Sequence, residues 1–206
     1  MRNRFGKMIF VLCAFAVAAL LPYSAFSAGF AKPTVEYSAD RVMTSGGNTM
    51  TSRVFSTPEK ERMEFKDGGM VTIVRRDKNV TWMLMLEQKM YMEQKMSGNM
   101  AGGQKQGGDN FDKCDVKQTE KGKEDVNGFS TRKMEMTISC PGNEKFTGMV
   151  WLTKENIPIR METKNAGTNE SFRMELKNLK IGKQDPALFE IPAGFQSMAM
   201  PTMPRQ

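Results

Sequence analysis

The strongest constraint on the fold is a two-residue alternation of apolar and polar side chains, which recurs from residue 34 onward. Ser130–Cys140, Glu170–Leu176 and Arg62–Lys66 all place apolar residues at every second position and polar residues between them. Successive side chains of a β-strand point to opposite faces, so this pattern predicts antiparallel strands with one solvated face. The intervening runs are mostly five to ten residues long, as in an antiparallel meander.

Clusters of turn-forming residues separate the predicted strands and give the expected order of hairpins. They predict an all-β fold with minor helix, in which about ten strands form an antiparallel meander. The turns fall at Ser45–Asn48, Asp67–Gly69, Asp77–Asn79, Glu87–Lys89, Asn127–Gly128 and Pro141–Asn143.

Three segments depart from simple alternation. Val80–Leu86 is apolar on nearly both sides, which predicts a central strand that is covered on both faces. Glu93–Met100 could form a short helix. Residues 96–110 contain five glycines and no strand pattern, so we predict a flexible loop or lid there.

Residues 1–27 have the layout of a cleaved secretory signal peptide. Three basic residues precede the apolar stretch Met8–Leu21, and small residues follow it, which predicts export to the bacterial periplasm. A membrane span needs about 20 apolar residues, and Pro22 ends this stretch earlier. A retained N-terminal anchor is the alternative. Lipid attachment is disfavoured because Cys13 follows Leu12 rather than a small residue.

Cleavage after residue 27 would leave one domain, 28–197, and a Met- and Pro-rich tail, 198–206, that we expect to be disordered. The signal holds three of the 30 Lys and Arg and none of the 23 acids, so the mature net charge falls from +7 to +4. The basic residues are interleaved with acidic ones. This mild, dispersed charge argues against nucleic-acid binding.

Two cysteines, Cys114 and Cys140, remain after cleavage. An isolated pair in an oxidising compartment is usually bridged, so we predict a disulfide. A thiol redox site would more often show a Cys-x-x-Cys pair. A zinc site needs more ligands than two cysteines in a chain that has no histidine.

Eighteen of the 20 methionines follow the signal, and several pairs lie two residues apart. In a strand that spacing places both side chains on one face. They either fill an ordinary core or form a surface that adapts to apolar partners, because methionine is flexible and polarisable. Thioethers also bind Cu(I), and the tail Met198–Met203 is the best copper candidate, although the absence of histidine weakens it.

The sequence gives little support for catalysis. Without histidine, Ser-His-Asp and Cys-His arrangements are impossible, and no phosphate-binding glycine loop or nucleophile elbow is present. Most carboxylates lie beside basic residues or on the polar side of predicted strands. No carboxylate pair stands out as a glycosidase site.

Three segments carry motifs that suggest a known family. Val71–Glu93 contains VTWMLM, Gly148–Glu162 contains IPIRME, and Leu188–Phe195 reads LFEIPAGF. Together they resemble a family of bacterial periplasmic proteins with a domain of unknown function and a lipoprotein-carrier (LolA/LolB-like) fold. The resemblance extends over residues 35–200. Its motifs are structural, and no functional residue of a carrier maps onto this chain.

The resemblance implies that these strands form a strongly curved antiparallel sheet, an incomplete β-barrel whose concave face is covered by a lid of loops or short helices. In carriers of this type the cavity shelters acyl chains of lipoproteins, and other members of the superfamily sense mislocalised envelope components. We therefore expect a monomeric, cofactor-free binding or carrier protein for a lipid or acylated protein, without enzymatic activity. An envelope interaction or sensor module and a Cu(I)-binding protein are the alternatives. The residues expected to line the cavity are Met63, Phe65, Ile73, Met83, Met85, Met134, Met136, Met149, Trp151, Met161, Met174 and Leu176.

The export signal predicts the mass of the protein recovered from the periplasm. We expect its first residue to be Ala28, or Gly29 or Lys32 if cleavage follows Ala28 or Ala31, as measured by intact-protein mass spectrometry. An uncleaved chain in the inner-membrane fraction would contradict cleavage and support the retained anchor.

Overall fold

Hydrogen bonding between neighbouring strands joins the chain into one sheet. The computed structural model describes residues 31–66, 69–96, 114–142 and 144–198. The strands in these ranges are β1 Tyr37–Ser45, β2 Asn48–Ser56, β3 Lys60–Phe65, β4 Met70–Arg75, β5 Val80–Met85, β6 Met90–Lys95, β7 Asp115–Val126, β8 Phe129–Ser139, β9 Lys145–Leu152, β10 Pro158–Asn165, β11 Ser171–Ile181 and β12 Gln196–Ser197.

The sheet consists of two meanders that meet where β1 pairs with β11. Its order is β12-β6-β5-β4-β3-β2-β1-β11-β10-β9-β8-β7. All neighbouring strands are antiparallel except β6 and β12, which pair in parallel over two residues. The terminal strands β7 and β12 do not pair with each other, so the curved sheet stays open and does not close into a barrel.

The predicted all-β fold with a curved, incompletely closed sheet is confirmed, with twelve strands in the described residues rather than about ten. The prediction that Val80–Leu86 is covered on both faces is wrong. β5 pairs with a strand on each side, but only Trp82 and Leu84 are buried, and Thr81, Met83 and Met85 on the other face are half-buried. The predicted helix at Glu93–Met100 is wrong for Glu93–Lys95, which end β6.

Several predicted segments lie outside the described residues. These are the signal peptide, nearly all of the Gly-rich segment 96–110 and the tail beyond Met198. In the described part of the chain, no helix has the length and apolar character that crossing a membrane requires.

The predicted turns fall between strands. Asn127 and Gly128 connect β7 to β8 with φ values of 51° and 82°. A two-residue hairpin with positive φ at both positions matches the twist of the strands it joins, which explains the Asn-Gly sequence.

The predicted disulfide is present between Cys114 and Cys140, whose Cα atoms are 4.2 Å apart. The pair directly follows the last β7–β8 partners, Asp115 and Ser139, so the bridge continues the ladder at the edge of the sheet. It spans 26 residues of sequence. A covalent link of this span restricts the unfolded chain and stabilises the fold by about 3 kcal/mol.

The described residues contain two clusters of buried apolar side chains. The larger connects β1–β3 with β7–β11 and includes Tyr37, Val54 and Leu176. The smaller lies on β4 and β5 beneath a 3₁₀ helix, Pro186–Phe189, which inserts Phe189. The Asp185 carboxylate accepts a hydrogen bond from the Ala187 amide and caps this helix.

Gly148 in β9 is a position where only a hydrogen atom fits. A Cβ there would overlap the carbonyl oxygen of Glu162 and crowd the Cα of Thr163 on β10. Both atoms belong to the backbone, so the neighbouring strand cannot yield by changing a rotamer. The close approach of β9 to β10 therefore depends on this glycine.

We expect Gly148→Ala to lower the free energy of unfolding by at least about 2 kcal/mol, because the added methyl group forces β9 and β10 apart. Urea denaturation of both proteins measures the change. Gly167→Ala is the control, since a Cβ there would meet only the flexible Asn165 side chain, at 3.4 Å. Equal losses in the two variants would contradict the explanation.

Candidate functional site: the methionine face of the sheet

Strand register places nearly all of the strand methionines on one face of the sheet. Direct partners in an antiparallel pair project to the same side, so the face can be followed from strand to strand. We call this side the methionine face. The opposite face carries Met149 alone among the methionines of the described strands. The methionine face carries Met43, Met50, Met63, Met70, Met83, Met85, Met90, Met92, Met134, Met136, Met161 and Met174.

The methionines in the middle of the sheet form a row across four strands. Met43 is the direct partner of Met50 on one side and of Met174 on the other, and Met174 is the partner of Met161. Met43, Met161 and Met174 are at most 5% exposed and belong to the larger apolar cluster. This part of the methionine face is core.

A second group of methionines lies towards the β12 edge of the sheet. Met85 of β5 is the direct partner of Met70 on β4 and of Met90 on β6, and Met83 is the partner of Met92. We call these five residues the β4–β6 methionine cluster. All five are half-buried, and neither of the two apolar clusters includes them. They therefore provide apolar, partly accessible surface.

The opposite face of the same strands is covered. Val71, Ile73, Trp82 and Leu84 are buried there against Phe189. These strands thus bury branched and aromatic side chains on one side and leave thioether side chains half-exposed on the other.

Arginine side chains attach the C-terminal segment, residues 186–198, to the sheet. Arg62 and Arg75 donate hydrogen bonds of 3.0 Å to the carbonyl oxygens of Leu188 and Phe189. Arg75 also forms ion pairs with Asp77 at 2.7 Å and with Glu190 at 2.5 Å. The guanidinium group of Arg75, whose side chain is 4% exposed, is therefore shared between the sheet and the segment that covers it.

A buried ion pair interrupts the apolar character of the methionine face. The Nη1 atom of Arg41 lies 2.9 Å from Oε1 of Glu61, and the side chains are 6% and 1% exposed. Their direct partners on the strand between them, β2, are the small residues Ser52 and Ser56. The two long side chains meet above β2 because serine leaves room for them.

The twelve residues that the sequence predicted as cavity lining fall on both faces. Phe65, Met83, Met85 and Met134 are half-buried on the methionine face, and Met63, Met136, Met161, Met174 and Leu176 are buried there in the larger cluster. Ile73, Met149 and Trp151 project from the opposite face. Ile73 lies under the C-terminal segment.

Trp151 is surrounded by polar groups on that opposite face. Lys133 and Arg160 lie 5.1 and 5.5 Å from its ring, and its Nε1 donates a 3.0 Å hydrogen bond to Glu124. This hydrogen bond and that of Lys133 lower the pKa of Glu124. Trp82 has the same kind of surroundings, with Arg75, Lys78 and Glu93. Both indole rings therefore have structural partners.

Met70, Met90 and Met92 complete the β4–β6 methionine cluster and were absent from the predicted lining. The two-residue spacing of Met90 and Met92 was visible in the sequence. The face of the sheet on which they lie was not visible in the sequence, because it depends on which residue of β5 each one opposes. The described residues contain no group of three or more Cys, Asp or Glu side chains placed to hold a metal ion.

The fold defines the class of the protein as an open, curved, single-sheet β domain. Residues 41–157 match a family described as a domain of unknown function (DUF4412), which spans more than half of the chain. The protein therefore belongs to that family, and the resemblance inferred from its motifs is confirmed. A search of curated proteins finds no match.

Solved structures share the fold at low identity. An uncharacterized conserved protein from Thermus thermophilus is 12% identical with a TM-score of 0.54, over 88% of this chain and 98% of that one. MucB is 12% identical with a TM-score of 0.53, over 86% of this chain and 63% of MucB. The structure of MucB in complex with MucA(peri) is 12% identical with a TM-score of 0.50, over 91% of this chain and 62% of that one. This chain thus spans less than two thirds of MucB, and the likeness shows the fold alone.

Acid should release the C-terminal segment. Hydrogen bonds from Arg75 lower the pKa of Asp77 to about 2. Burial would raise the pKa of Glu190, but hydrogen bonds from Arg75 and Lys78 outweigh it and lower the pKa. Both carboxylates therefore stabilise the folded state above their ordinary pKa values of about 4, and this contribution disappears as the pH falls towards 2. We expect hydrogen exchange of residues 186–198, corrected for the intrinsic rate, to lose protection between pH 4 and 2.

The matched variant is Glu190→Gln, which keeps the shape of the side chain and removes its charge. We expect less protection of residues 186–198 at pH 7 and a smaller loss on acidification than in the unmodified protein. Equal protection at pH 6.5 and pH 2 in the unmodified protein would contradict the proposed role of the ion pairs.

Proposed function

We propose that the protein binds the acyl chain of a lipid or acylated protein on its methionine face, in the periplasm and without catalysis. The observation that carries the proposal is the β4–β6 methionine cluster: five neighbouring apolar side chains, all half-buried, in neither apolar cluster. The carrier-type fold expected from the sequence motifs supports it.

Methionine suits a ligand whose shape varies. Its unbranched side chain has three rotatable bonds, so a methionine surface can follow a flexible acyl chain without moving the backbone. Each Å² of apolar surface removed from water contributes about 25 cal/mol before the costs of binding are subtracted. An acyl chain that covers about 200 Å² of this surface would gain roughly 5 kcal/mol before those costs.

A protein partner is the second candidate, and the edge strand β7 favours it. Among the described strands β7 pairs only with β8, and a twelve-residue strand at the end of a sheet is the kind of surface to which an extended peptide can add. Lys117, Lys121 and Lys123 are exposed along it, which discourages indiscriminate pairing.

The acyl proposal predicts that a charge on the methionine face weakens binding. We expect Met92→Lys to weaken binding of a fluorescent fatty acid at least tenfold, because the ligand would have to desolvate an ammonium group that has no carboxylate beside it on that face. The measurement is a fluorescence titration of the protein purified from its own envelope. Native mass spectrometry of the same sample should detect co-purified lipid.

Met149→Lys is the matched control. Met149 is also half-buried in a strand, but it lies on the opposite face, where Glu135 and Glu162 are its direct partners. We expect its affinity for the probe to stay within twofold of the unmodified protein. An unmodified protein that carries no lipid and ignores the probe would refute the proposal, as would equal effects of the two lysines.

A further inference from the structure

The β4–β6 methionine cluster brings thioethers from three adjacent strands together. Met70, Met85 and Met90 form one transverse row, and Met83 and Met92 form the next. Neighbouring strands are about 4.8 Å apart, and same-face residues along a strand are about 7 Å apart. Flexible side chains on such a grid can direct several sulfur atoms to one point.

The start of the C-terminal tail adds a sixth thioether. Gln196 and Ser197 pair in parallel with Met90 and Tyr91, and the Met198 amide donates a 2.8 Å hydrogen bond to the Tyr91 carbonyl. Alternation along β12 therefore puts Met198 on the methionine face, beside Met92. Met198 is half-buried, like the five cluster methionines.

Packing alone does not explain why these positions are methionine. On the methionine face of β4–β6, five of the six apolar residues are methionines, and Val74 is the exception. On the opposite face of the same three strands the six apolar residues are Val71, Ile73, Val80, Trp82, Leu84 and Tyr91, with no methionine. Strands favour branched and aromatic side chains. A role that needs sulfur accounts for the asymmetry between the faces.

The chemistry of this face selects the kind of ion that it would bind. Apart from methionine, β4–β6 contribute only Thr72, Val74, Thr81 and Gln94 to it, so these three strands supply no carboxylate for a hard cation such as Ca²⁺ or Mg²⁺. Thioethers are soft and uncharged, and they prefer Cu(I) to divalent cations with oxygen ligands.

We infer that the β4–β6 methionine cluster, with Met198, is a binding site for a soft monovalent metal ion, Cu(I). The ion would be held by thioether sulfur atoms of at least three strands, with Met92 at the centre of the site because Met83 and Met198 flank it in one transverse row. This site belongs to the folded sheet, and it differs from a copper site formed by the tail Met198–Met203 alone.

The test is an anaerobic titration of the full chain with Cu(I), in competition with the coloured chelator bicinchoninate. The thiol of Cys13, which is not part of the disulfide, is alkylated beforehand. We expect the protein to withhold one equivalent of Cu(I), and X-ray absorption of the complex to show a shell of sulfur only. Met83→Leu/Met92→Leu should weaken the affinity at least tenfold, because leucine keeps the apolar volume and removes both sulfur atoms.

Two further variants make the result decisive. Met134→Leu/Met149→Leu replaces two half-buried methionines outside the cluster and should leave Cu(I) affinity within twofold. A chain that ends at Met198 should keep its Cu(I). Failure of the unmodified protein to hold Cu(I), an unchanged Met83→Leu/Met92→Leu variant, or loss of Cu(I) on removal of residues 199–206 would each overturn the inference.

The same variants separate this inference from acyl binding. Met83→Leu/Met92→Leu retains an apolar surface and should bind the fluorescent fatty acid as the unmodified protein does, whereas Met92→Lys should lose it. Copper binding without fatty-acid binding would refute the acyl proposal alone, and the reverse would refute the metal site alone.

Discussion

The register of the hydrogen-bonded strands is the constraint on which the rest of this structure depends. Because side chains alternate along a strand and direct partners share a face, one pairing fixes the orientation of the residues on the two strands that it joins, as far as the next β-bulge. Ten antiparallel pairings carry that orientation from β6 to β7. A shift of one residue in any of them would move the methionines beyond it to the other side.

The two faces of β4–β6 satisfy different requirements. One face is closed by a 3₁₀ helix that is fixed through Arg62 and Arg75, and its side chains are the branched and aromatic types that pack well in strands. The other face carries half-buried methionines. These three strands are packed mainly on the side that the proposed ligands do not touch, and their half-buried methionines lie on the other side.

The sequence was sufficient for the local features of the fold. Period-two alternation identified the strands, turn residues such as Asn127–Gly128 identified the hairpins, and the isolated cysteines identified the disulfide. All of these signals lie within a few residues of the structure that they specify, apart from the cysteine pair, for which the predicted compartment supplied the missing information.

The distribution of residues between the faces was not predictable. Ile73, Met149 and Trp151 are as apolar as their neighbours, and only the partner strand decides which side they occupy. The contact of Arg75 with Glu190 joins residues 115 positions apart, and no local sequence pattern predicts it. For the same reason the sequence revealed the two-residue spacing of Met90 and Met92, but not the two transverse rows that they complete with methionines of β4 and β5.

The direction of the methionine rows has a mechanical consequence. The rows run across the strands, along the direction of the backbone hydrogen bonds, so each row spans several strands whose spacing the sheet fixes. On this fixed backbone lie side chains that change rotamer easily. The methionine side chains can therefore adapt to ligands of different shape without any change in strand pairing.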